Sequence, residues 1–338
     1  MIGRHFANVV ENVLDRFRLR RAPSLPTQIH LSVTDRCFLP CLHCDIWKNE
    51  ATDLPTEVWK GVINKLGKWC APASINFVGG EPLLRSDLPE LIELAVSYGF
   101  TTSLNTNGWL MNENKAYQLH RAGTSIVYVS LDGMKPETID YTRGKKGSFE
   151  KAMQAIEYIE KYNTPRLIIA SVLHAGNAYE ILQLLEWVEK KGFQLVVQPL
   201  YQNFGYVTYD PNWWKDSPLW PKNKQEHTEI EEVLDALTVA RMKGRPICNE
   251  PEQLQAMKFH FRHPTQDSGL SCRAGHTDLS FDPQGRIRLC YFLEPVGEIS
   301  DDMDLPTLWG QVETLRRRWE VSRCERHCNL LNCNFDAS

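Results

Sequence analysis

The sequence predicts an α/β chain, a partial (βα)6 TIM-like barrel followed by a small cysteine-rich carboxy-terminal domain. Three observations predict it. Between residues 27 and 200, six short β-branched or apolar runs alternate with segments of helical period. Eight of the ten cysteines fall into two groups, Cys37, Cys41 and Cys44 near the start and Cys272, Cys290, Cys324, Cys328 and Cys333 near the end. The region from 266 onward has too little apolar periodicity for an independent core, so a bound metal is a natural source of its stability.

The elements follow in order. Residues 1–24 read as an amphipathic helix, with Phe6, Val9, Val10, Val13, Leu14 and Phe17 at helical spacing and a basic end at Arg16, Arg18, Arg20 and Arg21. Such a helix ordinarily packs on the body of its protein, and docking on a membrane surface is the alternative. The barrel is expected over 25–200. Its strands are Gln28–Val33, Ser74–Val78, Thr101–Leu104, Ile126–Ser130, Leu167–Leu173 and Gln194–Gln198, each bounded by Gly, Pro, Asn or Asp. Helices are expected at Thr56–Lys68, Asp87–Tyr98, Glu113–Ala122, Phe149–Tyr162 and Ala178–Lys191, with Thr56 and Asp87 as N-caps and Gly99, Gly123 and Gly192 as stops. Repeated βα order calls for a parallel sheet with helices outside, and it puts active groups on the loops after the strands. Residues 201–265 form an aromatic-rich connection, holding Tyr201, Tyr206, Tyr209, Trp213, Trp214 and Trp220, and a helix Gln225–Met242. The connection is either a lid over a substrate or packing on the barrel mouth. In the last region, 266–338, Leu279–Cys290 reads as a hairpin turning at Asp282-Pro283-Gln284-Gly285.

Composition excludes several classes. A net charge of −4 gives no general attraction to nucleic acid. No apolar run approaches the roughly 20 residues that span a bilayer. No secretory h-region opens the chain, so a cytoplasmic location is expected. In that reducing compartment, clustered cysteines point to metal binding or catalysis and not to disulfides. Cys70, inside or at the end of a helix, reads as core.

The chemistry begins at Cys37-Phe38-Leu39-Pro40-Cys41-Leu42-His43-Cys44. Three thiolates so close can all face one soft metal centre. On a four-iron cluster they would leave one iron open. A zinc site is the other possibility, although zinc modules favour Cys-x-x-Cys pairs with a distant second pair. Cys37-x-x-x-Cys41-x-x-Cys44 after a first strand resembles the signature of the radical S-adenosylmethionine (radical SAM) superfamily. The resemblance implies a 4Fe–4S cluster held by these cysteines, with SAM chelating the fourth iron. One electron would cleave SAM to a 5′-deoxyadenosyl radical that abstracts a hydrogen atom from a substrate. Flavodoxin or ferredoxin is the kind of electron donor implied.

Further matches arrive in the family's order. Gly79-Gly80-Glu81-Pro82 after the second strand resembles the motif that binds the SAM amino group, where glycines let backbone approach a ligand and Glu81 offers charge to an ammonium. Asn105-Thr106-Asn107-Gly108 follows strand three, although an ordinary Asn-Gly turn explains it almost as well. Ser130-Leu131-Asp132-Gly133 resembles a motif near the SAM ribose in the peptide- and sulfatase-modifying branch. Arg143, followed by Gly147-Ser148-Phe149, matches that branch's arginine for the SAM carboxylate. Asn177 and Gln198 stand where the family contacts adenine or substrate. His43 departs from the aromatic residue many members carry there.

Cys272, Gly285 and Cys290, with Cys324-x-x-x-Cys328-x-x-x-x-Cys333, resemble SPASM and Twitch domains. Five cysteines, against seven in a full SPASM domain, imply one auxiliary 4Fe–4S cluster of the Twitch type, with the choice of four ligands among the five open. It would accept an electron or position the substrate. Cys248 is a candidate hydrogen-atom donor, or simply buried and unreactive. The reading is therefore a radical SAM oxidoreductase acting on a small molecule or a peptide, a maturase or epimerase among the options. The barrel starts near residue 27 with no peptide-recognition domain before it, which favours a small molecule or a peptide brought by another protein. A zinc-stabilised binding protein without turnover is the alternative of a different class.

Overall fold

The computed structural model describes residues 25–50, 52–202 and 208–335. The helix expected over 1–24 lies outside the described residues, as does Tyr206. Six parallel strands stand side by side in chain order: β1 (Gln28–Thr34), β2 (Ser74–Gly79), β3 (Thr101–Thr106), β4 (Ile126–Ser130), β5 (Arg166–Leu173) and β6 (Gln194–Pro199). Helices α1 (Thr56–Cys70), α2 (Leu88–Ser97), α3 (Glu113–Arg121), α4 (Pro136–Arg143), α5 (Ser148–Glu160) and α6 (Ala178–Lys191) fill the crossovers.

Alternation along each strand makes two faces. Ile29, Leu31 and Val33 on β1, and Val127 and Val129 on β4, are fully buried in one core with Trp59, Ile63 and Leu66 of α1 and Ile181 and Leu184 of α6. The intervening residues, His30, Ser32, Asn76, Ser103, Asn105 and Tyr128 among them, therefore face the barrel interior, a polar lumen. Cys70 belongs to the apolar core.

Two expected caps have other work. Thr56 is the first residue of α1, and its hydroxyl donates to Asp87 at 2.6 Å. Asp87 precedes α2 without capping it, because its carboxylate is held by Arg85 and Thr56. The stops behave as their chemistry requires. Gly99, Gly123 and Gly192 all have positive φ.

The cysteine-rich region shares the barrel sheet. Strand β7 (Asp278–Phe281) pairs in parallel with β1, and β8 (Arg286–Arg288) and β9 (Gly297–Glu298) extend the sheet antiparallel. The full order is β6-β5-β4-β3-β2-β1-β7-β8-β9. The hairpin turn is at the expected residues, with Gly285 at φ +83°.

Beyond α7 (Lys224–Met242) and α8 (Pro251–Arg262), the opposite edge, β6, is also covered. Ile247 bridges Leu195 in parallel. The Asn249 side chain accepts from Val197 N at 2.7 Å and donates to Val197 O at 2.8 Å, imitating a strand. Asn249 also donates to Asn332 Oδ1 at 3.0 Å, and Gln253 donates to Leu330 O at 2.8 Å. This amide ladder ties the last cysteine loop to the barrel edge and blunts that edge against stray pairing.

The aromatic connection packs rather than hanging free. Tyr201 and Trp220 are buried, and Trp213 lies against both. His260 of α8 stacks on Trp213 and meets His327 with ring nitrogens 2.8 Å apart. Helices α9 (Leu305–Gly310) and α10 (Val312–Ser322) close the chain's last third, where Arg318 donates to Gly275 O at 2.6 Å.

Candidate active site

The three amino-terminal cysteines sit on the loop leaving β1, at the carboxyl end of the sheet. That loop is pinned by the β2 loop and by the segment at Thr142. Gly80 N donates to Thr34 O at 2.7 Å and Glu81 N to Arg36 O at 2.9 Å. A Cβ at Gly79 would stand 2.1 Å from Thr34 O, and one at Gly80 2.3 Å from Arg36 O. The close approach these glycines permit is thus to the cysteine-loop backbone. Leu42 N donates to Thr142 O at 2.9 Å, next to Arg143.

Glu81 differs from its expected task. Its carboxylate is fully buried and takes Leu83 N at 3.1 Å, Thr106 Oγ1 at 2.9 Å and Asn107 N at 2.9 Å. It straps the β2 loop to the β3 loop. Burial pushes its pKa up to about 7 against the pull of those donors. Asn107 in turn aims Nδ2 at Cys37 Sγ, 3.8 Å away. Asn105, one step into the strand, has Oδ1 buried without a hydrogen-bond partner among the described residues.

Asp132 and Arg143 meet at 2.6 Å, both buried. Burial opposes ionisation of Asp132, but the Arg143 charge wins and holds the carboxyl below its ordinary value. Asp132 Oδ1 also accepts Val172 N at 2.9 Å. Arg143 ends α4, a helix the sequence reading did not separate from its loop, and its guanidinium reaches Cys41. The fork expected to meet a carboxylate outside the protein is engaged by Asp132, while Nε has no hydrogen-bond partner among the described residues. Asn177 is not free to touch a ligand. It donates to Asp132 O at 2.6 Å and to Val172 O at 2.8 Å, and accepts His174 N at 2.8 Å. Ser130 ends β4, and Gln198, half-buried on β6, sits opposite Val172. Cys248 is half-buried, its backbone N bonded to Leu195 O at 2.8 Å and its thiol pKa raised by burial.

The donor set suits a soft cluster. Burial pushes the thiols of Cys37 and Cys44 up to about 11 and 12, and each of the two feels Cys41. They are neutral thiols that release protons on meeting a metal. The orphan Asn105 Oδ1 and Arg143 Nε supply an acceptor and a donor where a zwitterionic cofactor would lie.

In the carboxy-terminal group, Cys328 is raised well above its ordinary value by burial, and it feels Cys290, Cys272 and Cys324. Cys272 likewise feels Cys290 and Cys324. Cys333 is the outlier. It is exposed, and its neighbours are Asp278 and Cys290.

The sequence profile of the radical SAM superfamily matches residues 31–188, the stretch from β1 through α6. Residues 31–188 are a radical SAM domain. Named proteins are similar to it as well. It is 26% identical over 329 residues to a PqqA peptide cyclase of Rhizobium meliloti, covering 92% of this chain and 81% of that one. It is 40% identical over 128 residues to the Fe-coproporphyrin III synthase of Methanosarcina barkeri, covering 37% of this chain and 32% of the relative. That second match thus spans about a third of the relative's length. The fold is also that of Streptococcus suis SuiB solved with S-adenosylmethionine, with a TM-score of 0.69 at 15% identity over 96% of this chain and 77% of SuiB. That likeness of fold runs into the carboxy-terminal region, since it covers 96% of this chain. No helix among the described residues is long and apolar enough to cross a membrane.

Proposed function

We propose that the chain cleaves SAM reductively at a cluster held by Cys37, Cys41 and Cys44 and modifies a peptide, with a second 4Fe–4S cluster near the far side of the barrel. When bound, the first cluster and SAM supply a 5′-deoxyadenosyl radical that takes a hydrogen atom from the substrate. The observation that carries the reading is the convergence at one rim of Cys37–Cys44, the Glu81 strap and the Asp132–Arg143 pair. Asn107 donates to the Cys37 sulfur and Arg143 to the Cys41 sulfur, so both stabilise thiolate character. Gly79, Gly80 and Pro82 hold the β2 loop against the cysteine loop. Asn105, Ser130 and Gln198 line the lumen below and orient SAM and substrate. Asp132 keeps Arg143 extended over the site.

For the second cluster the ligands are Cys272, Cys290, Cys324 and Cys328, since Cys328 feels the other three whereas Cys333 feels only Cys290 among the cysteines, and Cys333 stays a thiol. A peptide is favoured because the PqqA peptide cyclase aligns along 92% of this chain, cysteine-rich region included. SuiB has been solved bound to a precursor peptide, SuiA. A flavodoxin- or ferredoxin-type protein supplies the electron in the cytoplasm.

Anaerobic reconstitution tests this. Brown protein with about eight irons, forming 5′-deoxyadenosine from SAM under dithionite, is the expected result. A colourless zinc protein with no such product overturns it and supports the binding-protein alternative.

A further inference from the structure

The seam between β1 and β7 carries polar side chains that the proposed reaction leaves without a task. On β1, Ile29 and Leu31 turn to the helix-side core, so His30 and Ser32 face the lumen. On β7, Leu279 and Phe281 join that core, so Asp278 and Ser280 face the lumen too. Asp278 is 3% exposed. Its Oδ1 accepts Thr277 Oγ1 at 2.8 Å, but its Oδ2 has no hydrogen-bond partner among the described residues. The same holds for His30 Nε2. The two atoms stand 4.0 Å apart.

That separation is too long for a direct hydrogen bond and suits one polar atom about 2.8 Å from each. A buried polar atom without a partner is destabilising, and one bound group would relieve both. Two further side chains stand nearby. Tyr291 is 43% exposed and its hydroxyl reaches Ser32 and Ser280, while Cys333 is exposed beside Asp278. Burial holds His30 neutral, with a pKa near 4, so the imidazole brings no cation. Arg273, the cation that Asp278 feels, forms no ion pair with it among the described residues. Burial raises the Asp278 carboxyl to about 6, so above that pH an entering carboxylate would face its charge without a counter-charge.

We propose that Asp278 and His30, framed by Tyr291 and Cys333, form a substrate subsite that holds a hydrogen-bond donor, an amine, amide or hydroxyl, and rejects a carboxylate. This rests on the peptide-modifying reading above and deepens it by naming the chemistry of the substrate group that enters between the two clusters' regions.

The test uses the anaerobically reconstituted enzyme and three probes of one size, n-butylammonium, butanamide and butyrate, with binding read by ligand-observed NMR. The first two should bind and butyrate should not. Asp278→Asn should weaken n-butylammonium about tenfold or more, the loss expected when a charged hydrogen-bond acceptor becomes neutral. Butyrate binding as well as the amine, no binding of either donor, or an unchanged amine affinity in Asp278→Asn would each overturn the subsite. Should Asp278→Asn lose its iron, the wild-type ranking of the three probes decides alone. Binding needs no radical chemistry, so wild-type enzyme that holds the amine but forms no 5′-deoxyadenosine would strike the catalytic reading and leave the subsite standing.

Discussion

The two cysteine groups are built in opposite ways. Cys37, Cys41 and Cys44 occupy eight consecutive residues of one loop, and that loop is pinned by backbone hydrogen bonds to the β2 loop and to Thr142. Its neighbours are polar: Asn107 on Cys37, and Arg143 beside Cys41. Cys272, Cys290, Cys324 and Cys328 come from segments up to 56 positions apart (328 − 272), and Cys328 packs in an apolar cluster with Tyr201 and Leu331, against Phe292. The first group is prearranged by the folding of a barrel with a large core. The second is arranged by the long-range packing of loops with little core of their own. The lesson is that metal should matter to chemistry at the first group and to structure at the second.

Removing one ligand from each group gives the largest effects and separates the two roles. Cys41→Ala should reduce 5′-deoxyadenosine formation to background while the thermal transition moves little, because the barrel core does not depend on that thiol. Formation that persists in this variant would remove the assignment of the amino-terminal group. Cys290→Ser should lose about half the iron, release the carboxy-terminal loops to limited proteolysis and stop product formation, yet keep part of the SAM cleavage. Cys333→Ser should keep the full iron content. Iron lost from Cys333→Ser but not from Cys324→Ser would reassign the fourth ligand.

Next in size is the buried ion pair behind the first group. Asp132→Asn leaves Arg143 without its 2.6 Å partner in a buried place. Breaking such a pair from one side costs about 3–5 kcal/mol. Urea denaturation should register that loss, and SAM affinity should fall with it, since Arg143 would turn toward Cys41 or solvent. A stability change under about 1 kcal/mol would show that the pair is not the clamp its geometry indicates.

How much of this was written in the chain follows the same division. The barrel strands and most of its helices agree with the expected ranges to within two residues, because each strand is a short apolar or β-branched run and the crossover helices carry an apolar stripe. Helix α4 was hidden by its eight-residue length and by Pro136 at its start, which reads as loop. The roles of Glu81, Arg143 and Asn177 were legible as positions and not as contacts. A motif shows that a carboxylate or guanidinium is needed, but only packing reveals that protein groups already occupy it. Pairing of β7 with β1, and the Asn249–Asn332 ladder on β6, join residues more than 80 positions apart, where no local pattern reaches. The one sign of the ladder was a run of amide residues in segments that lacked strand character.

The smallest effect is a pH dependence that opposes two buried carboxylates of the same rim. Asp132 has its pKa held below the ordinary 3.8, so its stabilising contribution is present above that value and is lost as pH falls through the folded pKa. Glu81 is raised by burial from 4.5 to about 7, so its proton is held more tightly in the folded chain. Its contribution is present below about 4.5 and is lost as pH rises toward 7. Between pH 5 and 7.5 the wild type should therefore lose on the order of 2 kcal/mol through this one group. Glu81→Gln cannot titrate and should show a flatter urea midpoint over that interval, although it starts less stable, because one carboxamide end donates where Leu83 N, Thr106 Oγ1 and Asn107 N all require an acceptor. An equal slope in both proteins would mean that the three donors, and not burial, set the charge of Glu81. The strap between the β2 and β3 loops would then carry a permanent negative charge beside the site.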